Sequence, residues 1–402
     1  TGTLGNAAST TTVNTGGTLR GTGTLGGAVT IANGGTLEGK QGETLNLGAL
    51  TLANGTNLDV ALGAPGGAGL FAVTGNLTLG GTLNISNLGG FGKGVYRLID
   101  YGGALTDNGM SFGTLPINVT AADLTLQTST ANQVNLLSGV NATLNFWDGP
   151  GPVDNDVVDG GTGTWNASNS NWTDSDGEKN GLWTHDFAVF QGNAGTVTVD
   201  NSLGDIRANG MQFAVDGYVV YGDAITLEDA AATIRVGVGT VVGQSMTATI
   251  SAALNGLSEL VKTDYGTLVL QGNNTYSGGT RIAGGALQVS SDSNLGDISG
   301  GLTIDNATLA TTATFSTARD TELSAGYATV DTLAATTLTL AGAVSGQGSL
   351  VKQGDGTLVL AGANSYDGNT FVQNGTLHGD AARIRGHLLN NATTIFEQTA
   401  DA

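Results

Sequence analysis

The strongest constraint on this chain is an internal repeat. Leu260–Leu287 reads LVKTDYGTLVLQGNNTYSGGTRIAGGAL, and ninety positions later Leu350–Leu377 reads LVKQGDGTLVLAGANSYDGNTFVQNGTL. Across Ser258–Leu287 and Gly348–Leu377, half the positions are identical. The identical ones are mostly Gly, Leu, Val, Asn, Tyr and Thr, with no His, Asp or Glu among them. A unit that keeps turn formers and small apolar side chains while changing its acids is kept for stacking, and such repeats decide architecture.

A shorter echo runs inside each copy. Gly266-Thr267-Leu268 is followed 19 residues on by Gly285-Ala286-Leu287, and Gly356-Thr357-Leu358 by Gly375-Thr376-Leu377; Gly17-Thr18-Leu19 and Gly35-Thr36-Leu37 lie 18 apart. A turn glycine followed by a strand with alternating faces is the natural reading of this phrase. Its spacing predicts one coil of a β-solenoid, about three short strands with turns between them. The chain's 402 residues exceed one ordinary globular core, a limit a solenoid escapes because each coil buries its face on its neighbours.

Composition agrees. There are 67 Gly and 4 Pro, more than twice the usual glycine share of about 7%, without the G-X-Y period of collagen. Mean hydropathy near zero (+0.06) argues against plain disorder. Cysteine is absent, which excludes disulfides and thiolate metal sites and suits passage through an oxidising compartment. The net charge of −20 disfavours nucleic acid, heparin-like polymers and anionic membranes. No apolar run approaches the roughly 20 residues of a membrane helix. The chain starts TGTLGNAAST and stops TTIFEQTADA, both in mid-pattern, and is read as a piece of a longer protein.

Taken in order, residues 1–145 read as solenoid coils with strands such as Ala28–Ile31, Leu50–Leu52, Leu77–Leu79 and Val95–Ile99; Gly63–Gly69 reads as a loop off the stack. Residues 191–402 read as further coils containing the two long repeats, with strands of about 4–6 residues throughout. Between them, residues 146–190 break the rhythm. All four tryptophans fall here, Trp147, Trp165, Trp172 and Trp183, with acids at Asp148, Asp154, Asp156, Asp159, Asp174, Asp176 and Glu178. Large rings crowd a thin coil, so the block is expected as an excursion packed on the outside or as a plug between two stacks, with Asp154–Asp159 and Asp174–Glu178 in water.

The long repeats resemble the passenger-associated transport repeats of bacterial autotransporters (type V secretion). Leu350, Lys352, Gly354, Gly356, Thr357, Leu358, Leu360, Gly362, Asn364, Tyr366, Gly368, Thr370, Val372, Gly375 and Leu377 carry the pattern. The first copy departs at Thr263-Asp264 and at Ile282. The linking phrase LQVSSDSNLGDISGGLTIDNATL and the FWDG, GTGTWN and NWTD phrases are also similar to that family. The resemblance implies a right-handed parallel β-helix displayed on the outer membrane of Gram-negative bacteria after signal-peptide removal. The C-terminal end here lacks the alternating strands of a membrane barrel, so no transmembrane barrel is expected in this chain.

Catalytic and metal sites find little support. The GDSGS-type phrase of the protease passengers is absent. His185, His378 and His387 are the three histidines, and His185-Asp186 are sequence neighbours that point to opposite faces of a strand. Asp205 and Arg207 read as an exposed pair. Asp174-Ser-Asp176-Gly177-Glu178 resembles half a calcium loop, and Asp154-Asn155-Asp156 adds a second acidic group; both read as solvated loops. No cofactor, metal or catalytic residue is therefore assigned. The four tryptophans are the binding candidates, as a platform for a sugar or protein, against the favoured alternative that they cap a junction in the solenoid. Tyr276 and Tyr366, which recur in register, read as structural.

The resulting expectation is a rod of 18–20 coils at about 4.8 Å each, roughly 90 Å long. The function favoured is a non-enzymatic surface adhesin or self-association module. Its partner would be a host surface or matrix protein, a glycan or a second copy through the solenoid face, with no nucleic acid and no membrane insertion. The rival is a stalk lifting another domain.

Overall fold

A computed structural model describes residues 3–65, 69–139, 143–239 and 241–398 of the chain. Its regular structure is β-strand with four short 3-10 turns and no α-helix among the described residues. Contacts divide it into two compact units, Thr1–Leu144 with Val238–Val241, and Asn145–Gly237 with Val242–Ala402.

The first unit is built on parallel ladders. In its five-stranded sheet, Thr18–Leu19, Thr36–Lys40, Asn57–Gly63, Thr82–Gly89 and Ser111–Phe112 follow one another in chain order. Leu37, Leu58 and Leu83 are in register and point inward, while Glu38, Asp59 and Asn84 form the next column outward. Asn84 Nδ2 donates to Asp59 at 2.7 Å, a rung-to-rung bond of the kind an Asn ladder makes. Strands here exceed the expected length: Gly23–Ile31 has 9 residues and Leu45–Leu52 has 8. The ten-stranded sheet ends differently. Gly94–Tyr101 pairs antiparallel with Gln133–Ser138, which pairs antiparallel with Leu124–Gln127. The ladder of parallel coils thus closes on a hairpin-like return, which leaves one short strand at the edge. Of the predicted Gly63–Gly69 loop, residues 66–68 lie outside the described residues.

The second unit carries sheets of ten, eleven, five and three strands, parallel from Phe187 onward. Inward columns run through it in register: Ala248, Leu268, Leu287, Leu309 and Val330 in one sheet, Ile282, Ile304 and Leu323 in another. All are buried. The 19-residue echo is one coil, since Leu268 pairs with Leu287 and Leu358 with Leu377. Elsewhere coils are longer: Ile225 pairs with Leu254, and Thr233 with Val261.

A coil of the long repeat has two strands rather than the expected three. Its third side, 271–279 or 361–369, is irregular. Backbone bonds to the coil before, such as Thr275 N to Leu254 O (2.8 Å) and Ser365 N to Val344 O (2.7 Å), hold it together with side chains. Asn274 Oδ1 accepts from Leu254 N of the coil before (2.8 Å), and its Nδ2 donates to Asn294 O of the coil after (2.6 Å). Asn364 repeats this with Val344 N (3.0 Å) and Arg383 O (2.9 Å). Glycine is required at Gly285 and Gly375, where φ is +57° and +65° and a Cβ would strike the carbonyl of Gly266 or Gly356.

Candidate functional site

The tryptophan block begins with Leu144–Trp147, which pairs antiparallel with Trp172–Thr173 and sets Trp147 opposite Trp172. Gly163–Trp165 is already a strand of the eleven-stranded parallel sheet, with Trp165 opposite Val199. A strand of the coil stack therefore already lies within residues 146–190, where the rhythm was expected to break.

All four indoles are buried, Trp147 and Trp165 at 0%, Trp172 at 1% and Trp183 at 5% exposure, inside the hydrophobic core of the second unit. Ring centroids lie 5.2 Å apart for Trp147 and Trp172, 5.0 Å for Trp165 and Trp172, 4.9 Å for Trp165 and Trp183. These pairs meet edge to face, the arrangement in which ring edges meet the negative faces of neighbours. Phe190 continues the cluster and stacks on Phe213 at 4.8 Å. Ring size does not keep the indoles out of this core, because Phe190, Phe213 and Tyr218 line it in place of a purely aliphatic ladder. As placed, none of the four offers a ring face to solvent. Trp147 Nε1 donates to Gly161 O and Trp183 Nε1 to Arg207 O, whereas Trp165 Nε1 and Trp172 Nε1 have no hydrogen-bond partner.

Over this core lie two loops fastened together. Asp148 is buried, and its carboxylate accepts from Asp159 N and from Asn180 Nδ2, both at 2.7 Å. Asn180 and Asp154 exchange two further bonds, Asn180 N to Asp154 Oδ1 (2.7 Å) and Asp154 N to Asn180 Oδ1 (2.8 Å). Asp156 N donates to Gly177 O. Gly177, at φ +78°, packs so closely that a Cβ would run into the backbone of Val157. Tyr218, below, accepts from Gly161 N and donates toward the carbonyls of Gln191 and Asn193. Burial pushes its hydroxyl well above the ordinary tyrosine range.

The acidic loops do not gather into a metal site. Asp174 Oδ1 is turned onto its own loop, accepting from Asp176 N and Glu178 N at 3.1 and 3.0 Å. Among the described residues no group of three or more His, Asp or Glu is placed to hold a metal ion. His185 is exposed, and His378 Nε2 stands 3.2 Å from Glu397. Arg207 pairs with Glu228 rather than with Asp205.

The sequence reading missed one residue of the repeat. Lys262 and Lys352 occupy the same repeat position and stand in inward columns, Lys262 between Ile234 and Ile282, Lys352 between Val330 and Val372. Both are fully buried. Lys262 Nζ donates to the carbonyls of Thr263 (2.9 Å), Asp264 and Gly284 (3.0 Å each); Lys352 Nζ donates to those of Gln353, Gly354 and Asn374. An ammonium has three donors, and all are used. Burial pushes Lys262 down to about 7 and Lys352 to about 8, against the pull of nearby Asp264 and Asp331. The signal was present: Lys262 is two residues from Leu260, so strand alternation puts it on the buried face.

Residues 260–289 and 350–378 match the Passenger-associated-transport-repeat family. Over 356 residues, 84% of the chain, the sequence is 46% identical to the Adhesin BmaC autotransporter of Brucella suis biovar 1 (strain 1330). The chain spans about a tenth of that relative's length, 10%. No solved structure matches. Repeat, parallel solenoid and sequence similarity agree: the chain belongs with the passengers of bacterial autotransporters that carry passenger-associated transport repeats.

Proposed function

We propose that this chain is a non-enzymatic, surface-displayed passenger segment that acts in adhesion or in association between its own copies. The observation that carries the reading is its similarity, over most of its length, to an autotransporter adhesin. The fold is compatible with it. Parallel coils expose long faces of side chains in register, suited to many weak contacts made together. Its place would be the Gram-negative cell surface. Its partner would be a host surface or matrix protein, a glycan or a second copy; a net charge of −20 disfavours nucleic acid. No helix among the described residues is long and apolar enough to cross a membrane. Within the segment, the stretches 1–145 and 191–402 serve as the solenoid, apart from the antiparallel return of Leu124–Gln127 and Gln133–Ser138. The 146–190 block serves as a cap whose indoles fill the core and whose loops reach solvent.

The test is agglutination and surface adhesion by cells displaying residues 1–402, against cells displaying the same passenger without them. Loss of clumping and adhesion on removal is expected. Adhesion restored by an unrelated spacer of similar length in their place would favour a stalk.

A further inference from the structure

The joined loops over the tryptophan core expose apolar side chains that the core does not need. Val153 is 58% exposed, Val157 50% and Leu182 51%. They lie on or beside segments tied to one another: Val153 precedes Asp154, which exchanges bonds with Asn180, and Val157 abuts Gly177. Around them Asp154, Asp156, Asp174 and Glu178 are exposed. Residues 146–190 hold eight carboxylic side chains against one basic residue, Lys179. The surface is rigid at its base, because the buried Asp148 carboxylate, Asn180 and Asp154 form one bonded chain. A surface ordered before binding loses little entropy when a partner arrives.

We propose that loops 149–160 and 174–182 form a docking surface for a cationic polypeptide segment that carries Lys or Arg beside aliphatic side chains. Charge complementarity selects the occupant. Polyanions and anionic lipid headgroups are repelled by this rim, and a sugar finds no exposed aromatic face among these loop residues. A basic chain satisfies the carboxylates, while its aliphatic residues cover Val153, Val157 and Leu182. The proposal deepens the adhesin reading by naming the chemistry of the partner.

The probe is a short labelled peptide alternating Lys and Leu, titrated with the purified chain by fluorescence anisotropy. Four proteins are compared: the unaltered chain, Asp156→Asn with Glu178→Gln, Val157→Ser, and a control with Glu322→Gln and Asp355→Asn, exposed acids elsewhere on the same unit. The amide pair and Val157→Ser should each weaken binding about tenfold, and the control should leave it unchanged. Equal loss in the control would mean that overall charge alone attracts the peptide, and would overturn the proposal. So would an unaffected Val157→Ser, or no binding by the unaltered chain. A thermal melt checks folding; because Val157 is exposed, its variant keeps the test open if the amide pair unfolds. Agglutination by displaying cells reads the adhesin assignment separately. Cells that adhere equally with and without these substitutions sink the docking surface alone, and cells that never adhere sink the adhesin reading.

Discussion

The Tyr276 hydroxyl lies 2.7 Å from Thr280 Oγ1, and the Tyr366 hydroxyl lies 2.7 Å from Thr370 Oγ1, so each repeat rebuilds one buried hydroxyl pair. Thr280 Oγ1 in turn donates to Leu295 O, and Thr370 Oγ1 to Arg385 O. The pair therefore fastens the irregular third side of one coil to the loop of the next.

Removing the two ends of that pair should have unequal effects. Tyr276→Phe leaves Thr280 bonded to Leu295 O and should cost about 1 kcal/mol. Thr280→Val leaves the buried tyrosine hydroxyl and a buried carbonyl without their partner, and should cost roughly 2–3 kcal/mol. Denaturant melts of the two variants read the difference; equal costs would show that the hydroxyls do not act as a chain.

The strand core should be intolerant of charge. Leu358 is fully buried, in register with Leu338 and Leu377. Leu358→Asp buries an unpaired carboxylate and should cost several kcal/mol, on the order of 4 or more. A circular-dichroism melt unchanged by this substitution would contradict the inward assignment.

Stability should depend on pH through the repeat lysines. Lys262 titrates at about 7 and Lys352 at about 8 when folded, against about 10.4 in an unfolded chain. Below the folded values both states hold the proton, and the cost of burying the charge is fully present. Above them the unfolded chain binds more protons than the native one, so stability rises with pH until about 10. Beyond that the tyrosines reverse the trend. Tyr218, Tyr276 and Tyr366 are all raised by burial, and the stability they contribute is lost as pH climbs past the unfolded tyrosine value. Denaturation midpoints across this range should climb in the native chain and climb less in Lys262→Met with Lys352→Met. A flat native profile would mean that the three carbonyls hold each ammonium at its ordinary value.

The tryptophan cluster should behave as core. Intrinsic fluorescence should be weakly quenched by acrylamide, because all four indoles are buried. Trp172→Ala should cost about 3–5 kcal/mol. Deleting 149–180 removes Trp165, Trp172 and both partners of the Asp148 carboxylate together, and should lower the melting temperature or split the transition. A deletion protein that melts like the full chain would show that the block adds nothing to the core.

Local pattern determined much of this protein. The GTLVL phrases become the strands Thr267–Leu270 and Thr357–Leu360, because a turn glycine and period-two alternation act within a few residues. Leu268, Leu270, Ile282, Leu287, Leu360, Val372 and Leu377 are buried for the same reason, and Tyr276 and Tyr366 are buried in register. What tertiary structure alone decided depends on which coil lies beside which. The Lys262 strand belongs to the ten-stranded sheet and the Lys352 strand to the eleven-stranded one, so the second repeat is shifted by one face of the solenoid. No local rule contains that shift, since it accumulates from coils of unequal length between the copies. The indoles entered the core rather than staying outside it because Phe213 and Tyr218 come from coils further along the chain. The lysine charge became tolerable because its third carbonyl, Gly284 or Asn374, arrives from the coil that follows. Alternation is a property of neighbouring residues, whereas register, core width and the cage around a buried charge are set where separate coils meet.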